Sequence, residues 1–342
     1  MANAAIIGTG GYVPDRVVTN DDLIRDYGME TTNEWIVQRT GIEARRYAPE
    51  GLCSSDLAVF AAEAALSQAE LDRADLDMII FCTLSPQHAF PGDGVYLQEK
   101  LGLCAQGRFV PCLDIRNQCS GFLYGLAVAS SMVMAGTARN ILLVGGETHS
   151  AALDLTTRGR TVSTLFGDGA GAVIVAATSD DRGVRGWSLG ADGRHADKLC
   201  QRVWDMRRRP YFDVPEPGGA GRVPPENLWA DMDGKFVFKH ACERMVGALM
   251  TVCWEKGLTL DSIDLFVFHQ ANLRINQMVA KLLDVPDSKT VHNIQRYGNT
   301  TAATIPLLLA EATRDGRLKR GMKVAMVAFG SGFTWGAAIV DW

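Results

Sequence analysis

Two kinds of apolar run alternate along the chain. Short, almost uninterrupted ones, LDMIIFC (76–82), ILLVGGE (141–147), AVIVAA (172–177), IDLFVFH (263–269) and KVAMVAFG (323–330), have the pattern of strands buried on both faces. Longer ones, GFLYGLAVASSMVMAG (121–136) and TAATIPLLLA (301–310), are apolar nearly all round, as a helix between two sheets must be. Strands alternating with helices predict mostly parallel sheets covered by helices, an α/β fold.

The alternation occurs twice. LDMIIFCT (76–83) is matched by IDLFVFHQ (263–270). A run opened by Cys119 closes at Gly136, and one opened by Asn299 closes at Gly316, seventeen positions on in each case. ILLVGGE is matched by KVAMVAFGSG, and GDGAGAVIVAA by GSGFTWGAAIVDW. Four pairs in the same order imply a duplicated chain. The expected halves are 1–178 and 179–342, joined across TSDDRGVRG (178–186). Set face to face they give five layers, αβαβα, with the two apolar helices at the centre. Pro306, inside the second of these, predicts a kink there. The Pro-, Gly- and Arg-rich stretch WDMRRRPYFDVPEPGGAGRVPPENLW (204–229) predicts a long surface excursion.

Composition narrows the function. The 342 residues are 47% hydrophobic and 21% charged, an ordinary globular balance, and a net charge of −5 argues against nucleic acid as the partner. No apolar run approaches the roughly 18 residues of a membrane span. The start, MANAAIIGTGGYVPDR, lacks the basic n-region of a signal peptide, so a cytoplasmic protein is expected. The eight cysteines are scattered, without a CxxC pair, so neither a disulfide framework nor a zinc or other metal site is expected.

Three polar residues stand at ends of the duplicated elements: Cys119 at a helix start, His269 after a buried strand, and Asn299 in YGNTT. Strand ends are where functional groups gather in such folds. A Cys at a helix N-terminus faces unpaired N–H groups and the positive end of the macrodipole, which favours a thiolate. GTGG (8–11) and GDGAGA (167–172) do not match GxGxxG, so their glycines read as close packing rather than as a nucleotide-binding module.

Nearly end to end, the chain resembles the β-ketoacyl-acyl-carrier-protein synthase III family, condensing enzymes of the thiolase-like superfamily. The motifs are NEWIVQRTGIEARR (33–46), NQCSGF (117–122), FGDGAGA (166–172), HQANLRI (269–275), YGNTTAA (297–303) and AFGSGFTWGAA (328–338). The resemblance implies a duplicated thiolase fold and an acyltransferase that needs no cofactor besides its coenzyme A thioester. An acyl-CoA starter would load on Cys119 and undergo decarboxylative Claisen condensation with malonyl-acyl carrier protein, as in the initiation of fatty acid synthesis. By motif, His269 and Asn299 complete the triad as neutral donors to the enolate, and the backbone N–H groups of Cys119 and Ser331 form an oxyanion hole. Trp35 and Arg39 match an adenine-stacking pair, Arg158 or Arg160 a further coenzyme contact, and Asn272 a pantetheine contact. Lys239 and Arg274 match a basic rim for an acidic carrier protein. A homodimer is implied, with Phe90 of SPQHAFPGDG (85–94) reaching the partner's acyl pocket.

The departures concern the substrate. Arg116, Asn117 and Gln118 precede the nucleophile where the family has small residues, which makes Asn117 and Gln118 candidates for shaping the acyl pocket. Ser331 replaces a glycine, and RGRTVSTLF lengthens the segment before GDGAG. A secondary-metabolite condensing enzyme or acyltransferase of the quinolone or polyketide type is the alternative. A non-decarboxylating thiolase is disfavoured, because GSGF stands where a second catalytic Cys would be.

Overall fold

The computed structural model describes residues 3–207 and 225–342; the middle of the predicted excursion, with most of its Arg run, lies outside the described residues. Strands β1 (Asn3–Tyr12), β2 (Met78–Cys82), β3 (Cys112–Ile115), β4 (Asn140–Glu147) and β5 (Gly169–Thr178) form one sheet in the order β1-β5-β4-β2-β3. The chain then crosses over, and β6 (Gly183–Ala191), β7 (Leu265–Phe268), β8 (Lys323–Gly330) and β9 (Thr334–Asp341) form a second sheet in the order β6-β9-β8-β7. The directions also repeat. The first two pairings in each sheet are antiparallel and the third is parallel. Strand β3 extends the first sheet in parallel with β2, and the bridge from Phe266 to Thr290 occupies the corresponding place in the second. The duplication legible in the sequence is therefore a duplication of sheet topology.

Six helices matter here: α1 (Asn33–Thr40), α2 (Ser54–Ala69), α3 (Gly121–Met134), α4 (Gly234–Lys256), α5 (Leu273–Leu282) and α6 (Thr304–Arg314). Each doubly buried strand divides its side chains between two cores by the period of two. On β4, Ile141 and Leu143 join the central core with Phe122 and Leu126 of α3 and Ile305 and Leu308 of α6. Leu142 and Val144 point the other way, into a core with Leu57, Ala61 and Ala65 of α2. On β8, Val324 and Met326 face the centre, while Ala325 and Val327 meet Leu249 of α4 and Val279 of α5. Three cores separated by two sheets make the five layers, with α3 and α6 innermost. Among the described residues no helix is long and apolar enough to cross a membrane.

Two local expectations are corrected. Neither Cys119 nor Asn299 opens its helix directly. Short 3₁₀ turns, Gln118–Ser120 and Thr301–Ala303, come first, each with one residue at positive φ (Gln118, 45°; Thr301, 47°). Because α6 starts only at Thr304, Pro306 lies in its first turn, where the missing N–H has no helical partner to lose and no kink follows.

Candidate active site

Cys119 lies in the Gln118–Ser120 turn, 8% exposed, against the end of β8. A Cβ on Gly330 would stand 2.7 Å from Cys119 Cβ and 3.1 Å from its backbone nitrogen, so this approach needs glycine. The same contact brings the Ser331 N–H onto the sulfur together with Cys119's own N–H. Ser120 Oγ and Thr334 Oγ1, 2.8 Å apart, tie the nucleophile turn to the Ser331 loop, and Thr334 Oγ1 donates to the Ser331 carbonyl at 3.0 Å. The Ser331 hydroxyl donates to the Leu199 carbonyl, so this side chain, absent where the family has glycine, fixes part of the cavity wall.

The electrostatics overturn the expected resting thiolate. Burial pushes the Cys119 thiol up to about 12, and the Glu147 carboxyl adds to the rise. The N–H groups of Cys119 and Ser331 and the Asn299 amide pull the other way without prevailing. The helix begins two residues later than expected, and desolvation outweighs its terminus. Cys119 rests as a thiol.

His269 follows β7 and continues its ladder, donating its N–H to the Val327 carbonyl at 2.8 Å. Its Nδ1 lies 2.6 Å from Thr304 Oγ1, which itself donates to the Thr301 carbonyl at 2.9 Å. A hydroxyl has one proton to give, so the imidazole carries its own on Nδ1 and Nε2 keeps a lone pair. Nε2 is buried without a hydrogen-bond partner, in the wall of the cavity that Cys119 also lines. Burial lowers the imidazole to about 3 and keeps it neutral. Asn299 docks on the strand leading into GDGAG: its N–H donates to the Leu165 carbonyl at 2.7 Å, and Gly167 N–H donates to its carbonyl at 3.2 Å. Its Oδ1 accepts from Thr301 N–H at 2.8 Å, which leaves the amide NH2 for Cys119. The local turn role and the placement beside the thiol are carried by one side chain.

Behind these residues stands a polar layer that the sequence reading missed. Glu147 at the end of β4 is fully buried, and His149, also buried, places Nε2 3.9 Å from it and 2.6 Å from Thr301 Oγ1. The signal was present in GGETHS, where polar residues follow a strand buried on both faces.

Cys119, His269 and Asn299 share one cavity of about 710 Å3. Near Cys119 its wall is apolar (Leu199, Phe329, Met245, Ala241, Val237), and Trp35, Arg39 and Lys235 also line it. The Arg39 guanidinium lies 4.2 Å and that of Arg160 5.6 Å from the Trp35 ring centroid, a cation–π pairing on both counts. Arg158 instead pairs with Asp154 at 2.6 Å. Asn272 lines the cavity while its Oδ1 caps α5 through Arg274 N–H at 2.8 Å. Lys239 is exposed on α4, with Glu243 at 4.0 Å. Lys235, one turn earlier, is exposed as well, and sequence reasoning overlooked it.

Other expected residues lie elsewhere. Arg274 is no free rim charge: it donates to the Gln38 and Val37 carbonyls at 3.0 and 3.1 Å and so binds α5 to the C-terminal end of α1. Asn117 and Gln118 do not border the cavity. Asn117 donates to Ser120 Oγ at 3.1 Å, and Gln118, at positive φ, reaches back to the Arg116 carbonyl at 3.5 Å. Phe90 is 84% exposed and outside the cavity of its own chain. Trp204, at the front of the excursion, takes the Arg116 guanidinium at 4.7 Å, so that segment abuts the nucleophile turn.

Residues 113–193 match the family model for 3-oxoacyl-[acyl-carrier-protein] synthase III, and residues 253–342 match the model for the C-terminal region of the same enzymes. A β-ketoacyl-[acyl-carrier-protein] synthase III of Rhodospirillum rubrum is 42% identical over 345 residues, spanning 99% of both chains. The crystal structure of a 3-oxoacyl-[acyl-carrier-protein] synthase III from Aquifex aeolicus superposes with a TM-score of 0.87 at 36% identity, covering 99% of this chain and 100% of its own. The priming β-ketosynthase of the R1128 polyketide pathway has the same TM-score, 0.87, at 30% identity, covering 99% of this chain and 96% of its own.

Proposed function

The chain belongs to the β-ketoacyl-[acyl-carrier-protein] synthase III family, acyltransferases that initiate fatty acid synthesis by condensation, and we propose that Cys119, His269 and Asn299 carry out that reaction here. The observation that supports this most is their convergence: a thiol, a bare imidazole nitrogen and an aimed amide NH2 on one largely apolar cavity. In the first half-reaction Cys119 Sγ attacks the thioester carbonyl of an acyl-CoA while its proton passes to His269 Nε2. The C–S bond to coenzyme A breaks, and the departing thiolate takes that proton from His269, which returns to the neutral state its burial favours. During attack the N–H groups of Cys119 and Ser331 receive the carbonyl oxygen.

In the second half-reaction a malonyl thioester on acyl carrier protein loses carbon dioxide, and the electron pair of that C–C bond becomes an enolate. Its oxygen accepts from Asn299 Nδ2 and from His269 Nε2, in the other neutral tautomer, in which Nδ1 accepts from Thr304 Oγ1 and Nε2 carries the proton. The enolate carbon attacks the acyl–Cys119 carbonyl. The sulfur leaves as a thiolate and takes up the one proton from solvent that decarboxylative condensation consumes, so the cycle balances. The apolar wall withholds the water that would quench the enolate.

Trp35 with Arg39 and Arg160 would hold the adenine of the coenzyme, and Asn272 the pantetheine. Lys235 and Lys239 give an otherwise acidic chain a local positive edge for an acidic carrier. Two copies would pair through the free edge at β3, where Leu113, Phe109 and Phe90 are exposed, each Phe90 closing the partner's acyl pocket. The likeness to a polyketide priming synthase, together with the polar Arg116–Gln118 turn, favours one second reading: a starter other than the short acyl groups of primary metabolism. Intact-protein mass spectrometry after incubation with a panel of acyl-CoAs decides. Acyl adducts are expected on the wild-type chain and none on Cys119→Ala; adducts on that variant would overturn the assignment, and the preferred chain length separates the two starters.

A further inference from the structure

Glu147 is a charged group placed where a charge is expensive. Its carboxylate is fully buried beside a thiol that must lose a proton, and the mechanism above does not use it. What the two oxygens hold is specific. They accept from Leu84 N–H (3.1 Å), Ser85 N–H (3.0 Å), Ser85 Oγ (2.6 Å) and Thr83 Oγ1 (3.2 Å), where the chain leaves β2 for the loop that carries Phe90. They also accept from Ala302 N–H (3.4 Å), across the boundary between the two sheets, in the turn that aims Asn299. Close packing reinforces that contact: a Cβ on Gly145, two residues before Glu147, would stand 2.3 Å from the Ala302 carbonyl oxygen. Thr301, next to Ala302 and the donor to Asn299 Oδ1, holds φ at 47°, a conformation a β-branched residue keeps only when its surroundings impose it.

We propose that Glu147 is a positioning residue for the condensation step: its buried carboxylate holds the strained turn that aims the Asn299 amide and, with the same oxygens, the root of the loop that carries Phe90. The proposal rests on the roles given above to Cys119 and Asn299. It explains why a carboxylate, rather than an apolar residue, ends β4. Five donors converge there, and three of them are backbone N–H groups that no apolar side chain could satisfy. The arrangement also works against the nucleophile, because a negative charge behind Cys119 opposes the thiolate. The other titratable groups facing the carboxyl are His149, kept neutral by burial, and the buried thiol of Cys82. The carboxyl itself is raised by burial to about 7, against the pull of its donors.

Two opposed effects on one side chain give the test. Glu147→Gln keeps the size, removes the charge and turns an NH2 toward backbone donors. The rate of Cys119 alkylation by iodoacetamide at pH 8, above the carboxyl's own value of about 7, should rise several-fold, while carbon dioxide release from malonyl-carrier protein falls by about 10–100-fold. Because a loosened fold would also expose the buried thiol and lower condensation, the comparison is made on a variant that unfolds at the wild-type urea concentration and whose other buried cysteines, Cys82 among them, stay unreactive. Ser85→Ala, which removes one O–H donor to Glu147 and the acceptor of Thr148 N–H but leaves the carboxylate in place, should leave alkylation unchanged and lower condensation by a few-fold. The proposal is overturned if folded Glu147→Gln condenses at the wild-type rate, or if alkylation and condensation fall together in both variants. Failure of the wild-type chain to alkylate at Cys119, or to acquire an acyl group there, would instead overturn the reading of the site itself.

Discussion

At the scale of single residues, desolvation decides more than helix ends do. With the Cys119 thiol near 12, the thiolate fraction at neutral pH is on the order of 10⁻⁵, so loading needs an acceptor for the proton. In the mechanism proposed above, His269 Nε2 is that acceptor. His269→Ala should therefore slow acyl loading by about 10²–10⁴-fold, the usual range for a lost general base, and should abolish condensation. Time-resolved mass spectrometry of the acyl-enzyme beside carbon dioxide release measures the two steps separately. Unchanged loading in the folded variant would restore the helix-end thiolate. The two candidate coenzyme arginines make a second contrast: if Trp35 and its cations hold the adenine as proposed, Arg160→Ala should raise KM for acyl-CoA about tenfold with little change in kcat, whereas Arg158→Ala, which removes the pairing with Asp154, should leave KM near wild type. Steady-state kinetics with a single acyl-CoA suffices. Cys119, His269 and Asn299 stood out as candidates because each is a polar residue at a junction, two ahead of the central helices and one after a buried strand. Their protonation and aim were not legible, since these depend on Thr301 and Thr304 in one half of the chain and Glu147 in the other, none of which carries a periodic signal.

At the scale of elements, the apolar runs announced β2, β4, β5, β7, β8, β9 and both central helices, because a segment buried on two faces has no room for polar residues. Half-exposed β3 and β6 and the glycine-rich β1 gave no such run, and β6 begins inside the stretch expected to be a link. The turns between them were misread. Two 3₁₀ turns shift the starts of α3 and α6 by two and five residues from Cys119 and Asn299, and nothing in NQCS or NTTAA states that a residue will sit at positive φ. The glycines at these junctions are easier to interpret after the fact. Gly145→Ala would drive a methyl into the Ala302 carbonyl, an overpacking that should cost about 1–3 kcal/mol. Because the displaced turn is the one that aims Asn299, condensation should fall further than acyl loading. Urea unfolding together with the two half-reaction rates tests this, and an equal loss in both rates would contradict it.

At the scale of the whole molecule, the two sheets share strand order, directions and alternation, which is why a duplicated pattern in the sequence could be read as a duplicated architecture. Assembly was less legible, since an exposed edge shows itself only when strands are placed side by side. If β3 is the edge through which two copies pair, Leu113→Lys should shift the protein toward monomer in sedimentation experiments, with loss of activity; a wild-type chain that sediments as an active monomer would rule pairing out. The sheet registers hold one more consequence. Asn3 lies opposite Thr178, and Asp341 lies opposite Gly183, so the first and the last strand of the chain each have an end beside the crossover that joins the halves. The order in which the halves are read along the chain is thus not what holds them together. A circular permutant opened at Asp181, with Trp342 linked to Asn3 by a short flexible peptide, would be synthesised with its second half first and would still form every pairing in both sheets.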